Sequence, residues 1–97
     1  MSALIDEIIN AKNITAKLGL GNVSIATDKI IVSGHSFGAI TSLYNTMNDP
    51  RIACCLSYDP WLYVCMDDIN SNKFKMTKPF ATICTQHFPD DNKPYCN

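Results

Sequence analysis

Residues 29–43 read Lys29-Ile30-Ile31-Val32-Ser33-Gly34-His35-Ser36-Phe37-Gly38-Ala39-Ile40-Thr41-Ser42-Leu43, and the change of pattern within this stretch decides the fold. Residues 29–33 form a short β-branched run, the pattern of a strand buried on both faces. Residues 37–47 carry Ala39, Ile40, Leu43 and Met47 at helical spacing, and Asn48-Asp49-Pro50 stops that helix. Between them lies Gly34-His35-Ser36-Phe37-Gly38. A Gly-x-Ser-x-Gly pentapeptide alone is weak evidence, since chance places one in ~3% of chains this long. Set between a buried strand and an amphipathic helix, it has the context of a nucleophile elbow. The serine sits in strained backbone at a tight turn, and the residues two before and two after it approach so closely that glycine fits best. The turn lifts the Ser36 Oγ above the sheet edge and aims the Phe37 N–H at the oxygen of an attacked carbonyl, reinforced by the helix N-terminus. A nucleotide-binding turn would need a third glycine at Rossmann spacing or a Lys-Ser/Thr pair, and the sequence has neither.

Outward from the elbow, the pattern alternates. Leu4, Ile5, Ile8, Ile9, Lys12 and Ala16 mark an N-terminal helix, with Ser2 as its expected N-cap and Gly19 and Gly21 ending it. Residues 52–58 read as a second strand, turned by Asp59-Pro60, and residues 79–84 as a third. Residues 61–78 are mixed, apolar at Trp61, Leu62 and Tyr63 and loop-like from Asp67 on; the tail from Pro89 has no regular pattern. Strands joined by helical connections imply a parallel α/β sheet, and with the elbow they imply an incomplete α/β-hydrolase fold. Such a domain usually runs to roughly 200–250 residues. The 97 residues are therefore expected to be a piece of a single domain. Its elbow lies at 30–40, its acid-bearing strand and loop at 52–63, and a further strand at 80–85. The outer strands of that piece are expected to have open edges and uncovered apolar faces.

Composition narrows the function classes. The chain is 46% hydrophobic and 18% charged with a net charge of −1, which argues against electrostatic capture of nucleic acid. Asp6 and Glu7 interrupt the N-terminal apolar pattern, so no secretory signal is read there, and no run reaches the ~20 apolar residues that span a bilayer. A cytoplasmic location is slightly favoured on that ground. Cys54, Cys55, Cys65, Cys84 and Cys96 are irregularly spaced, several within apolar runs where a free thiol acts as a small hydrophobe. Cys84, His87 and Cys96 look faintly like metal ligands, but no second paired motif completes a set; no metal and no cofactor is expected. The sequons at Asn13 and Asn22 matter only for a secreted protein.

A serine nucleophile needs a base, and the base an orienting carboxylate. Asp59 follows the second strand at the sheet edge that carries chemistry in parallel folds; the plain alternative is an Asp-Pro turn former. Asp28, Asp49, Asp67 and Asp68 read as solvated loop or cap residues. His35 is held within the elbow and reads as structural or pocket-lining. His87, after the third strand, is a weak candidate base. The chain order of this fold is serine, acid, histidine, so the histidine is expected beyond Asn97.

The segment from Ile31 to about His87 resembles the platelet-activating factor acetylhydrolases, plasma and intracellular type II. The resemblance rests on Gly-His-Ser-Phe-Gly-Ala at 34–39, Asp-Pro-Arg-Ile-Ala-Cys at 49–54 and Leu-Ser-Tyr-Asp-Pro-Trp-Leu-Tyr at 56–63, with Lys-Pro-Phe opening the last strand. It implies a calcium-independent, phospholipase A2-like serine esterase that removes short sn-2 acyl groups from phospholipids. By motif match Ser36 is the nucleophile, Asp59 the acid and the Phe37 amide half of the oxyanion hole. Gly34, His35 and Gly38 shape the elbow. Trp61 and Leu62 fall near the acyl or membrane-facing side, although plain core packing is the preferred reading of both. Ala39 stands where the family commonly has a second glycine. The family histidine and second oxyanion donor lie on segments outside this chain, so the chain alone is expected to be inactive. The competing readings are a non-catalytic remnant or binding module on the same scaffold, and an esterase of this fold with another ester substrate.

Overall fold

The computed structural model describes residues 1–10 and 14–88. In chain order the elements are α1 (Ser2–Asn10), α2 (Ile14–Lys17), β1 (Ile30–His35), α3 (Phe37–Asn48), β2 (Ile52–Tyr58), a 3-10 turn (Leu62–Cys65), α4 (Met66–Asn70) and β3 (Phe80–Ile83). The strands form one parallel sheet in the order β1-β2-β3, the partial α/β-hydrolase architecture expected from the sequence. Register aligns His35 with Tyr58 and Tyr58 with Ile83, so the carboxyl ends of all three strands lie in one row.

One face of the sheet is covered. α3 turns Ala39, Ile40, Leu43 and Thr46 inward against Val32, Cys55 and Ile52, and Ile5 of α1 joins this core. Met47, expected on the inner side, is half-buried, and Thr46 takes the deeper position. The other face, with Ile31 at 64% exposure and Ile83 at 52%, has no element across it among the described residues. The expectation that β1 is buried on both faces is therefore corrected: its pattern suits two covered faces, and the described chain covers one. The exposed aliphatics are the cost of that geometry.

Three further expectations change. The stretch from Asp67, expected to be loop-like, begins inside a short helix. Pro60 and Asp59 turn the chain into the 3-10 turn and α4, whose Leu62 and Cys65 pack on the core, while Phe74 meets the Tyr44 ring edge-on at 5.3 Å. Ser2 does not cap α1. The Met1 carbonyl accepts the first helical N–H groups, and the Ser2 hydroxyl donates to Asp49 Oδ2 at 2.8 Å. Asp49 is buried rather than solvated. Arg51 grips it through Nε to Oδ1 (2.9 Å) and Nη2 to Oδ2 (2.7 Å), and also pairs with Asp6, which ties α1 to the α3–β2 turn. A bidentate guanidinium satisfies a buried carboxylate where a solvated turn would not need one.

The expected end of the N-terminal helical region holds. Gly19 has φ 68°, its N–H donates to the Ala16 carbonyl and the Leu20 N–H to Thr15, the pair of bonds of a Schellman cap. The thiols of Cys55 and Cys65 are buried in the core, as their apolar surroundings imply. Asn13, Lys12, Cys96 and the tail from Pro89 lie outside the described residues. Among the described residues no helix is long and apolar enough to cross a membrane.

Candidate active site

The site is assembled where the row of strand ends hands its hydrogen bonds from loop to loop. The Ser36 N–H donates to the Tyr58 carbonyl at 3.0 Å, and the Asp59 N–H donates to the Ile83 carbonyl at 3.0 Å. Each residue thus extends the sheet by one step beyond its strand. The Trp61 N–H donates back to the Ser36 carbonyl at 3.3 Å, joining the two loops directly. Ser36 and Asp59 are placed by backbone that is itself part of the sheet, which suits groups that must hold a fixed separation.

Ser36 has φ 55° and ψ −118°, a region that a residue with a Cβ rarely occupies. The surrounding structure enforces it: the N–H is committed to Tyr58, and the carbonyl accepts from Ala39, Ile40 and Trp61. α3 starts at the next residue, so the Phe37 peptide lies at the positive end of a twelve-residue helix. Ser36 is half-buried and the Phe37 ring is exposed. The two elbow glycines differ. A Cβ on Gly34 would meet the Gly38 carbonyl inside van der Waals contact, whereas a Cβ on Gly38 would meet open space. The expectation that both are needed for close approach holds for Gly34 alone.

Asp59 is 7% exposed and also has positive φ, 43°. Its Oδ1 accepts the Thr85 N–H at 2.7 Å, and the Thr85 hydroxyl lies 3.2 Å from Oδ1 and 3.1 Å from Oδ2. His35 Nε2 stands 3.8 Å from Oδ2, with the His35 side chain 72% exposed. The structure therefore gathers Ser36, His35, Asp59 and Trp61 at one edge. His35 faces Asp59 from the last position of β1. His87 is exposed in the turn that follows β3.

Trp61 is exposed and lies against Tyr63, ring centroids 6.0 Å apart, so core packing does not describe it here. Leu62 does turn inward. It helps line an apolar cavity of about 280 Å³ with Leu43, Pro60, Phe74, Phe80 and Thr82, on the α3 side of the sheet. Thr85 escaped the sequence reading. Its signal is the parallel register: once Tyr58 pairs with Ile83, the residues just past each strand are neighbours.

A parallel sheet with crossover helices, a strained serine at the strand-to-helix turn and a buried carboxylate after the next strand define a partial α/β-hydrolase. The family model described as platelet-activating factor acetylhydrolase, isoform II, matches residues 7–93, and the chain belongs to that family. The platelet-activating factor acetylhydrolase of Cavia porcellus is 30% identical over 69 residues, which cover 71% of this chain and 15% of that protein. Those of Bos taurus and Canis lupus familiaris are 32% and 37% identical over 65 residues, 67% of this chain and 14% of each relative. The matched segment thus spans a small part of the length of these curated relatives. No solved structure matches the chain.

Proposed function

We propose that this chain carries the nucleophile and the acid of a platelet-activating factor acetylhydrolase-like serine esterase acting on short sn-2 acyl esters of phospholipids. The observation that supports it most is Ser36 itself, held at φ 55° between β1 and α3. Strain of that kind persists where the surroundings over-determine it, and it fits a hydroxyl that must stand clear of the sheet.

In this mechanism the Ser36 Oγ attacks the ester carbonyl carbon while a base takes its proton. The Phe37 N–H donates to the oxyanion of the tetrahedral intermediate, at the positive end of α3. Collapse expels the lysophospholipid alcohol, which takes the proton from the base, and water then hydrolyses the acyl-enzyme. Asp59 orients the base and stabilises its charged form. The base is a histidine from outside this chain, because His35 adjoins Ser36 within the elbow, where its ring cannot easily turn back to the Ser36 Oγ, and His87 is an exposed turn residue. A second oxyanion donor comes from another segment as well, so this chain alone has little activity. No metal or cofactor enters the steps. Trp61 and Tyr63, exposed beside the edge, suit contact with the lipid surface.

The test compares rates on a short-acyl phospholipid and a soluble aryl ester in the full-length protein, with Ser36→Ala alongside. The proposal expects phospholipid preference and loss of both activities in Ser36→Ala. Hydrolysis unchanged by that substitution would overturn the esterase mechanism, and a preference for the aryl ester would overturn the substrate class.

A further inference from the structure

We infer that Thr85 is a positioning residue that fixes the Asp59 carboxylate and decides which of its oxygens meets the base. This rests on the esterase reading above. The carboxylate of a side chain that is only 10% exposed must have its lone pairs satisfied largely by protein groups. The Thr85 N–H takes Oδ1 at 2.7 Å, a charge-assisted bond from a backbone group that cannot swing away. The Thr85 hydroxyl lies between the two oxygens, at 3.2 and 3.1 Å, and its single proton serves one of them at a time.

Oδ1 is thereby committed, and Oδ2 keeps capacity for one more donor. Oδ2 is also the oxygen that faces His35 Nε2, at 3.8 Å. The edge where an imidazole already stands is the edge from which the orienting bond to the base is offered. The geometry of Thr85 follows from the fold: the Asp59 N–H is bonded to the Ile83 carbonyl, so the chain leaving β3 passes directly beside the carboxylate. Without Thr85 the Asp59 side chain could rotate about χ1, and a base bonded to Oδ2 would lose its fixed direction.

The proposal is tested in the full-length protein with Thr85→Val, which keeps the shape and the N–H but removes the hydroxyl, and Thr85→Ser, which restores it. Thr85→Val is expected to lower kcat about 10-fold with KM within about twofold, and Thr85→Ser to stay within about twofold of the parent. Thr85→Val with parental kcat, or a loss that Thr85→Ser does not rescue, overturns it. The second readout needs no hydrolysis: the Thr85 amide proton resonates far downfield and moves upfield in Asp59→Asn, where the acceptor is neutral. A Thr85 amide that ignores Asp59→Asn overturns the proposal even if Thr85→Val fails to fold. Unchanged hydrolysis in Ser36→Ala condemns the esterase reading instead, and the amide resonance then still reports whether Thr85 holds the carboxylate.

Discussion

The backbone of Gly34 lies so close to that of Gly38 that a Cβ placed on Gly34 would overlap the Gly38 carbonyl and stand 2.8 Å from the Ala39 nitrogen. Nothing lies within 4 Å of a Cβ placed on Gly38. Gly34→Ala is therefore expected to cost about 1–3 kcal/mol, because rigid backbone and not a flexible side chain must give way. Gly38→Ala, in the first turn of α3, is expected to be neutral or to stabilise by about 0.5–1 kcal/mol. Thermal unfolding of the two variants checks this, and equal losses would contradict it.

Ser36 sits at φ 55° with a Cβ, and a glycine there would be free of that strain. Relief of about 1–3 kcal/mol exceeds the entropic penalty of about 0.5–1 kcal/mol that glycine brings. Ser36→Gly should therefore raise Tm by a few degrees while removing the nucleophile and hydrolysis with it. A lower Tm would show that the turn is not strained.

The central βαβ unit was legible because its signals are local. The β-branched run before Gly34, the helical spacing after Ser36 and the Asp59-Pro60 turn each report the nearest few residues, and the elements fall within a residue or two of expectation. What escaped depends on partners distant in sequence. Asp49 looked like a solvated turn residue because nothing nearby announces that Ser2 and Asp6 will join Arg51 around it. Thr85 could not be paired with Asp59 before the register of β2 and β3 was known. The short α4 was hidden by the polar residues after Met66; its place depends on Tyr44, whose hydroxyl donates to Asp68, and on Phe74.

The Arg51 guanidinium, aided by the Ser2 hydroxyl and against the effect of burial, holds the Asp49 carboxyl well below the usual carboxylate range. Since the folded value is the depressed one, the stabilisation is complete above the unfolded pKa of ~3.9 and is lost as pH falls below it. Asp49→Asn should lower Tm by several degrees at neutral pH and flatten the fall of Tm below about pH 4. Arg51→Lys should not restore the parent, because an ammonium lacks the fork that spans both oxygens. Parallel acid unfolding curves for parent and Asp49→Asn would contradict the linkage.

Tyr44 reaches from α3 to Asp68 of α4, and this hydrogen bond, with burial and the carboxylate charge behind it, pushes its phenol up to about 12. Here the folded value is raised, so the contribution is present below the unfolded pKa of ~10 and lost as pH rises toward 12. Phenolate absorbance should show one tyrosine titrating near 12 that disappears in Tyr44→Phe. If Tyr44→Phe leaves the alkaline end of the titration unchanged, α4 is not held in this way.

Labelling the full-length protein with a fluorophosphonate and mapping the adduct by peptide mass identifies the nucleophile itself. A single adduct is expected on the peptide containing Ser36, absent in Ser36→Ala and formed at least about 10-fold more slowly in Asp59→Asn. An adduct on another serine, with Ser36 unmodified, would contradict it.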